Sequence, residues 1–195
     1  CRKLEREMET FTFFWDGPFS QWESSWFEVD GVEYNCAEQY MMAEKARVFC
    51  DHAIEAEILT TGSPAIQKAL GRKISDFDAE KWNSVCRGIV YEGNLAKYEQ
   101  NNDLRIQLLQ TGKRTIVEAS PRDRIWGIGM GAKNPMAKVP AKWRGRNWLG
   151  IAIQQVRDEV NRRDGKTVHA FDSELQTQLD NHCKEYACEP QYQLL

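Results

Sequence analysis

The sequence predicts an α+β fold, a mainly α-helical single domain with a few short strands, and three observations carry that prediction. Apolar residues recur at helical spacing through most of residues 36–160. The strand-like runs are short, aromatic or β-branched, and bounded by turn residues. The 195 residues, 42% apolar and 28% charged, are enough for one globular core that needs neither disulfides nor metal.

In chain order, residues 1–10 form a charged lead-in. The sequence opens on Cys1 without a methionine, which suggests a trimmed chain, and shows no signal-peptide apolar region. Phe11 to Trp15 reads as an aromatic strand, ended by Asp16-Gly17-Pro18. Trp26 to Tyr34 reads as a β-hairpin around Asp30-Gly31. It feeds a helix over 36–50 that continues through 51–61 until Gly62-Ser63-Pro64 breaks it. Ser63 as N-cap and Pro64 at the first helical position start the next helix, through about Leu70. Asp78 caps a helix over 79–100, and Asp103 opens another through Leu109, stopped by Thr111-Gly112. Thr115 to Ala119 is a strand, followed by a turn at 120–124 and a glycine-interrupted segment at 125–131. Residues 132–146 form a basic loop with two prolines. Trp148 to about Val160 is a last amphipathic helix, and 161–195 is a polar extension; no interior domain boundary is visible.

A net charge of −3 gives no chain-wide reason to bind polyanions. No apolar run approaches the roughly 20 residues needed to cross a bilayer. The six cysteines show no paired framework, which points to a cytosolic or nuclear setting. Cys36, Cys50 and Cys86 read as buried thiols, and no metal site is expected beyond a faint His182, Cys183, Cys188 grouping. The tryptophans Trp22, Trp26, Trp82, Trp126, Trp143 and Trp148 read first as core residues.

The chemistry concentrates in three pieces. The first is the helix after Tyr34. Taking roughly 100° per residue from Ala37, Val48 falls at about 20°, Met41 at about 40°, Phe49 at about 120° and Met42 at about 140°. On the same scale Lys45 lies at about 80° and Glu38 at about 100°, inside the apolar arc. Gln39, Glu44 and Arg47 point elsewhere. Buried charges cost several kcal/mol per ion unless paired or employed. Seven residues separate the two by about 10 Å along the axis, too far for an easy salt bridge but suited to a shared small ligand. A carboxyl in apolar surroundings suits general acid–base work, and a desolvated lysine suits attack on a carbonyl or opened sugar. A rotated helix with both charges solvated is the competing reading.

The second piece is Ser120 to Gly129, where Trp126 offers a stacking face, Asp123 a carboxylate and Gly127 close backbone approach. A structural turn is the competing reading; neither a dinucleotide fingerprint nor a P-loop is present. The third is Trp143 to Gly150, where Arg144 and Arg146 sit at a helix start, a setting that favours phosphate. A solvated basic loop explains them equally. Together the pieces suit a planar base carried on a phosphorylated ribose.

These residues resemble the YbiA-like NADAR family, whose name refers to NAD and ADP-ribose. The resemblance rests on Phe19-Ser20-Gln21-Trp22, on Val29-Asp30-Gly31 with Tyr34, and on Glu38-Gln39-Tyr40-Met41-Met42-Ala43 with Lys45-Ala46. It continues through Trp82, Leu104-Arg105 with Thr111-Gly112, Val117-Glu118-Ala119-Ser120-Pro121 with Asp123, and Trp126-Gly127-Ile128-Gly129. It closes on Gly145, Asn147 and Leu149-Gly150. The matching blocks run in order over about residues 11–160.

The resemblance implies a compact α+β domain that cleaves N-glycosidic bonds without a cofactor. It implies Glu38 as acid and base, Lys45 as the amine that forms a Schiff base with the opened ribose, and Asp123 as an orienting carboxylate. Ser20, Gln21, Trp22, Trp82, Trp126, Gly127, Arg144, Arg146 and Asn147 become substrate-binding candidates. Two departures stand out. Gln21 replaces a common asparagine, keeping the amide chemistry with a longer reach. The link from Lys133 to Arg146 is longer and more basic than in many bacterial relatives, and residues 161–195 extend past the family core; both of these lean toward a larger, more anionic substrate. The leading expectation is removal of ADP-ribose from guanine, in a nucleotide or nucleic acid, with no membrane or obligate protein partner. The alternatives are an N-glycosidase for ribosylated pyrimidine intermediates of riboflavin synthesis and a module that binds ADP-ribose or NAD without turnover.

Overall fold

A computed structural model describes residues 10–165. The charged lead-in, the extension past residue 165 and the His182, Cys183, Cys188 grouping lie outside the described residues. The chain divides into two compact units, a helix-rich unit of Asp16–Leu108 and a flanking unit built from the segments before Asp16 and after Leu108.

In the helix-rich unit two strands form the hairpin: β2 (Phe27–Val29) and β3 (Val32–Tyr34) pair antiparallel, Phe27 opposite Tyr34. Asp30 and Gly31 both take positive φ, 51° and 79°, which matches the right-handed twist of the strands. Five helices follow, α1 (Ala37–Val48), α2 (His52–Thr60), α3 (Pro64–Gly71), α4 (Ala79–Gln100) and α5 (Asn102–Gln110), the last carrying the chain into the flanking unit.

The helix expected to run unbroken to residue 61 is instead two. Cys50 turns left-handed at φ 57°, and Asp51 caps α2 by accepting from the Ile54 N–H. The other Asp51 oxygen accepts from the Ser75 backbone and hydroxyl, so a distant residue helps hold the break. Cys50 is exposed, not a buried thiol as expected, whereas Cys36 and Cys86 are buried. At α3 the cap position falls on Ser63, but its side chain makes no cap hydrogen bond; Pro64 starts the helix. Asp78 caps α4 through the Lys81 N–H.

Helices α3 and α4 pack against α1 at glycines. A Cβ on Gly71 would lie 2.1 Å from Met42 Sδ, and one on Gly93 would lie 2.4 Å from Tyr40 Cδ1. Both glycines therefore serve close helix approach rather than a special backbone angle.

The flanking unit holds β1 (Phe11–Phe14), parallel to β4 (Thr115–Glu118) with Phe11 opposite Thr115, and α6 (Trp148–Arg163) packed on β4. The basic loop between them is ordered by two 3-10 turns, Pro135–Lys138 and Pro140–Lys142. Trp143 anchors it in a core with Val117, Ile128, Met130 and Ala137, and its indole N–H donates to the Ala137 carbonyl at 2.8 Å. Trp143 alone among the candidate tryptophans is fully buried; Trp22 and Trp26 are exposed, and Trp82, Trp126 and Trp148 are half-buried, contrary to a core role for all six. No helix among the described residues is long and apolar enough to cross a membrane.

Candidate functional site

Helix α1 is covered nearly all round, and Glu38 is only 5% exposed. The phase predicted for Glu38 holds, but Gln39, expected on a solvated side, is buried too. Its amide N–H groups reach the Ile58, Leu59 and Thr61 carbonyls at the end of α2, while its oxygen accepts from the Asn35 N–H. These carbonyls close the C-terminal end of α2, so Gln39 joins two helix ends. Gln67 extends the same buried network to Asn35 and Thr61.

Lys45 is half-buried. Its ammonium donates to the Gly71 carbonyl at 2.8 Å and lies 4.4 Å from the Phe77 ring centroid and 5.7 Å from that of Trp82. Burial lowers its pKa from 10.5 to about 8, with Arg72 adding to the fall and Glu38 opposing it. The structure thus brings Lys45, Trp82 and the field of Glu38 together. Roughly one Lys45 in ten is a neutral amine at pH 7.

The Ser20-Gln21-Trp22 turn is held from two sides. The Gln21 carbonyl accepts from the Glu38 N–H at 2.9 Å, which serves the first turn of α1 in place of a side-chain cap. The Gln21 side chain accepts from Asn94 and points its own N–H at Met41 Sδ. Ser20 Oγ accepts from the Trp22 N–H, leaving the Trp22 ring exposed.

On α4, Asn94, Lys97 and Tyr98 are all fully buried and form a clamp on this turn. Lys97 Nζ donates to the Ser20 carbonyl at 2.8 Å, and Tyr98 donates to the Pro18 carbonyl at 2.9 Å. The sequence reading did not single out Lys97. The signal was available, since at roughly 100° per residue Lys97 falls about 20° from Cys86 on the apolar stripe of α4. Burial lowers the Lys97 pKa to about 7, against opposing contributions from Glu23 and Cys36.

These shifts predict how stability responds to pH. Above about 7 for Lys97 and about 8 for Lys45, the folded chain has released protons that the unfolded chain keeps until about 10.5. Unfolding then takes up protons, so stability rises with pH across that window. Cys36, raised by burial from 9.0 to about 11, acts in the opposite direction above pH 9. Thermal denaturation should therefore show Tm climbing from pH 7 to pH 9, more slowly from pH 9 to about 10.5, and levelling or falling only beyond that. Lys97→Met should flatten the climb; a wild-type Tm that drops between pH 7 and 9 contradicts the assignment.

In the flanking unit, Asp123 organises its own loop. One carboxylate oxygen accepts from the backbone N–H groups of Ile125, Trp126 and Gly127 at 2.8, 2.7 and 3.5 Å. Gly127 must be glycine, because a Cβ there would lie 2.9 Å from the Glu118 carbonyl oxygen. Trp126 meets Trp148 edge to face at 5.8 Å, and the Arg146 guanidinium stacks 4.9 Å from the Trp148 ring. Arg144 is exposed.

The N-terminus of α6 is not the open phosphate cradle that the sequence suggested. The Trp148 and Leu149 N–H groups already donate to the Ile125 and Trp126 carbonyls. Asn147, expected to bind substrate, is fully buried at φ 53°; its amide accepts from the Glu118 N–H and donates to the Ile116 carbonyl. It completes the free edge of β4 instead of presenting itself to a ligand. Anion binding here would depend on the arginine side chains.

Comparison with known proteins sets this geometry in context. The chain is 42% identical over 146 residues to an N-glycosidase of Acanthamoeba polyphaga mimivirus, covering 72% of this chain and 86% of the viral protein. It is 34% identical over 174 residues to Protein irg-1 of Caenorhabditis elegans, covering 80% and 82% of the two chains. It is 30% identical over 144 residues to N-glycosidase YbiA of Escherichia coli, covering 74% and 81%. The NMR structure of E. coli YbiA superposes with a TM-score of 0.67 at 27% identity, covering 83% of this chain and 91% of that one. The NADAR domain matches residues 9–161, and the chain belongs to the NADAR family.

Proposed function

We propose that this protein is an N-glycosidase, a hydrolase that releases ADP-ribose from ADP-ribosylated guanine. The observation that carries the reading is Lys45: a half-buried amine with a pKa near 8, seated against Phe77 and Trp82, on the same helix as the buried carboxyl of Glu38. Its relatives named N-glycosidases support the reaction class.

In the proposed reaction Glu38 gives a proton to the departing base as the bond from C1′ to nitrogen breaks. The Lys45 amine forms a bond to C1′, and the C1′–O4′ bond then breaks as one proton of the new ammonium passes to O4′, opening the ribose and leaving a protonated imine. Glu38, now a carboxylate, draws a proton from water; the hydroxide equivalent adds to the imine carbon, and collapse returns the free amine and ADP-ribose. One water is consumed, and no redox step occurs. A lysine with a pKa near 8 suits this sequence, because it must be neutral to attack and a cation in the imine. Gln21 and Trp82 are proposed to bound the reacting end. Ser20 and Trp22 are assigned to substrate contact through their shared turn. The flanking unit holds its own candidate contacts, with Trp126 and Gly127 proposed for a planar or sugar group, Arg144 and Arg146 for phosphate and the second oxygen of Asp123 for a hydroxyl.

The deciding experiment is incubation of the protein with an ADP-ribosylated guanine oligonucleotide, with free ADP-ribose followed by mass spectrometry. Release by wild type is the expected result. Binding without release would instead favour an ADP-ribose-binding module. Neither binding nor release would send the search to ribosylated pyrimidine substrates.

A further inference from the structure

The flanking unit carries a charge pattern opposite to that of the chain as a whole. Between Arg122 and Arg146 there are seven lysines and arginines and one carboxylate, Asp123, in a protein whose net charge is −3. One oxygen of that carboxylate is already held by three backbone N–H groups. Arg122, Arg124, Lys133, Lys138, Lys142 and Arg144 are exposed, and none makes an ion pair with a described residue. Like charges gathered without a paired counter-charge among the described residues repel one another, an arrangement that favours meeting an external anion.

The cations sit on an ordered support. Arg124 and Arg144 flank Gly129 closely enough that a Cβ there would lie 3.0 Å from Arg124 Cγ and 3.1 Å from Arg144 Cβ. The Arg146 N–H donates to the Arg124 carbonyl at 2.9 Å. Lys138 and Lys142 end the two successive proline-led 3-10 turns, which Ala137 and Trp143 pin into the core. Exposed Met136 and Val139 stand between the lysines and offer apolar contact among the charges.

We propose that this surface binds the phosphate backbone of a nucleic-acid strand, with Lys133, Lys138, Lys142, Arg122 and Arg124 as backbone contacts. The successive phosphates of a strand match several separate cations better than a single small anion does. A single strand is the expected form, because chemistry on a base requires it out of the duplex stack. That the strand carries the scissile base rests on the N-glycosidase reading above; the surface itself does not.

The test is fluorescence anisotropy of wild type and the combined Lys133→Gln, Lys138→Gln, Lys142→Gln variant with an unmodified single-stranded DNA oligonucleotide across a salt series. Anionic phosphatidylserine vesicles serve as a parallel probe. Wild type should bind the oligonucleotide with a steep salt dependence, and the variant's slope in log K against log salt should be shallower by about 2, near 0.7 per lost contact. The variant should keep the wild-type Tm and the wild-type rate on a free ADP-ribosylated guanosine nucleotide. No oligonucleotide binding at low salt, or an unchanged slope in the variant, overturns the proposal. Vesicle binding lost in the variant while oligonucleotide binding is unaffected overturns it in favour of a membrane surface. Oligonucleotide binding with the expected slope, but no ADP-ribose release from any substrate, supports the surface while removing the glycosidase reading.

Discussion

Lys45→Ala is expected to lower release of ADP-ribose from modified guanine by roughly a thousandfold or more, since it removes the proposed nucleophile rather than a contact. The alanine variant also leaves the Gly71 carbonyl without the donor it has in the wild type, so it could lose stability as well as chemistry. Lys45→Arg separates the two effects. It retains a cation and a donor near Phe77, Trp82 and Gly71, but a guanidinium does not form the imine. Arginine should therefore restore Tm without restoring turnover. In the wild type the rate should rise with pH toward about 8, where the Lys45 amine becomes neutral. Borohydride added during turnover should trap a secondary amine on Lys45, seen by mass spectrometry as a covalent sugar adduct absent from Lys45→Arg. Arginine-variant turnover near the wild-type rate, or a trapped adduct on another lysine, would rule this role out.

Glu38→Gln should cost about 10²–10⁴ in rate on the same substrate, the usual range for a lost general acid. The substitution keeps the shape of the side chain and leaves the backbone N–H bond from residue 38 to the Gln21 carbonyl intact. A large change in Tm is therefore not expected from that contact. The informative comparison is a ribosyl substrate whose base leaves without needing a proton, such as a pyridinium. If Glu38 protonates the leaving base, the defect shrinks on that substrate because the step it assists is gone. An equal loss on both substrates would remove the role of Glu38 as acid toward the leaving base and leave it a role in binding or imine hydrolysis.

How far these expectations could be read without a structure depends on how far apart the interacting groups lie in the chain. The hairpin was legible because Asp30-Gly31 and its flanking alternation act within a few residues. The α4 start was legible because Asp78 caps a neighbour three positions on. The inward phase of Glu38 was legible because helical spacing alone sets it. The same method could have found Lys97, whose place on the apolar stripe of α4 follows from spacing too.

Other features depended on partners that no local pattern names. Gln39 looks like a solvated residue until the carbonyls at the end of α2, about twenty positions away, claim its amide. Asn147 looks like a substrate ligand until β4 takes both ends of its side chain. The anion site expected at the start of α6 is filled by carbonyls from Ile125 and Trp126. The pairing of β1 with β4 spans about a hundred residues. By itself the sequence determined the inward phase of Glu38, the hairpin, the Asp78 cap and the segregation of charge, because these follow from residue type and short spacing. Only the tertiary structure decided which polar groups are spent on the protein's own backbone and which stay available to a ligand, because a buried polar group is satisfied by whatever partner folding brings to it.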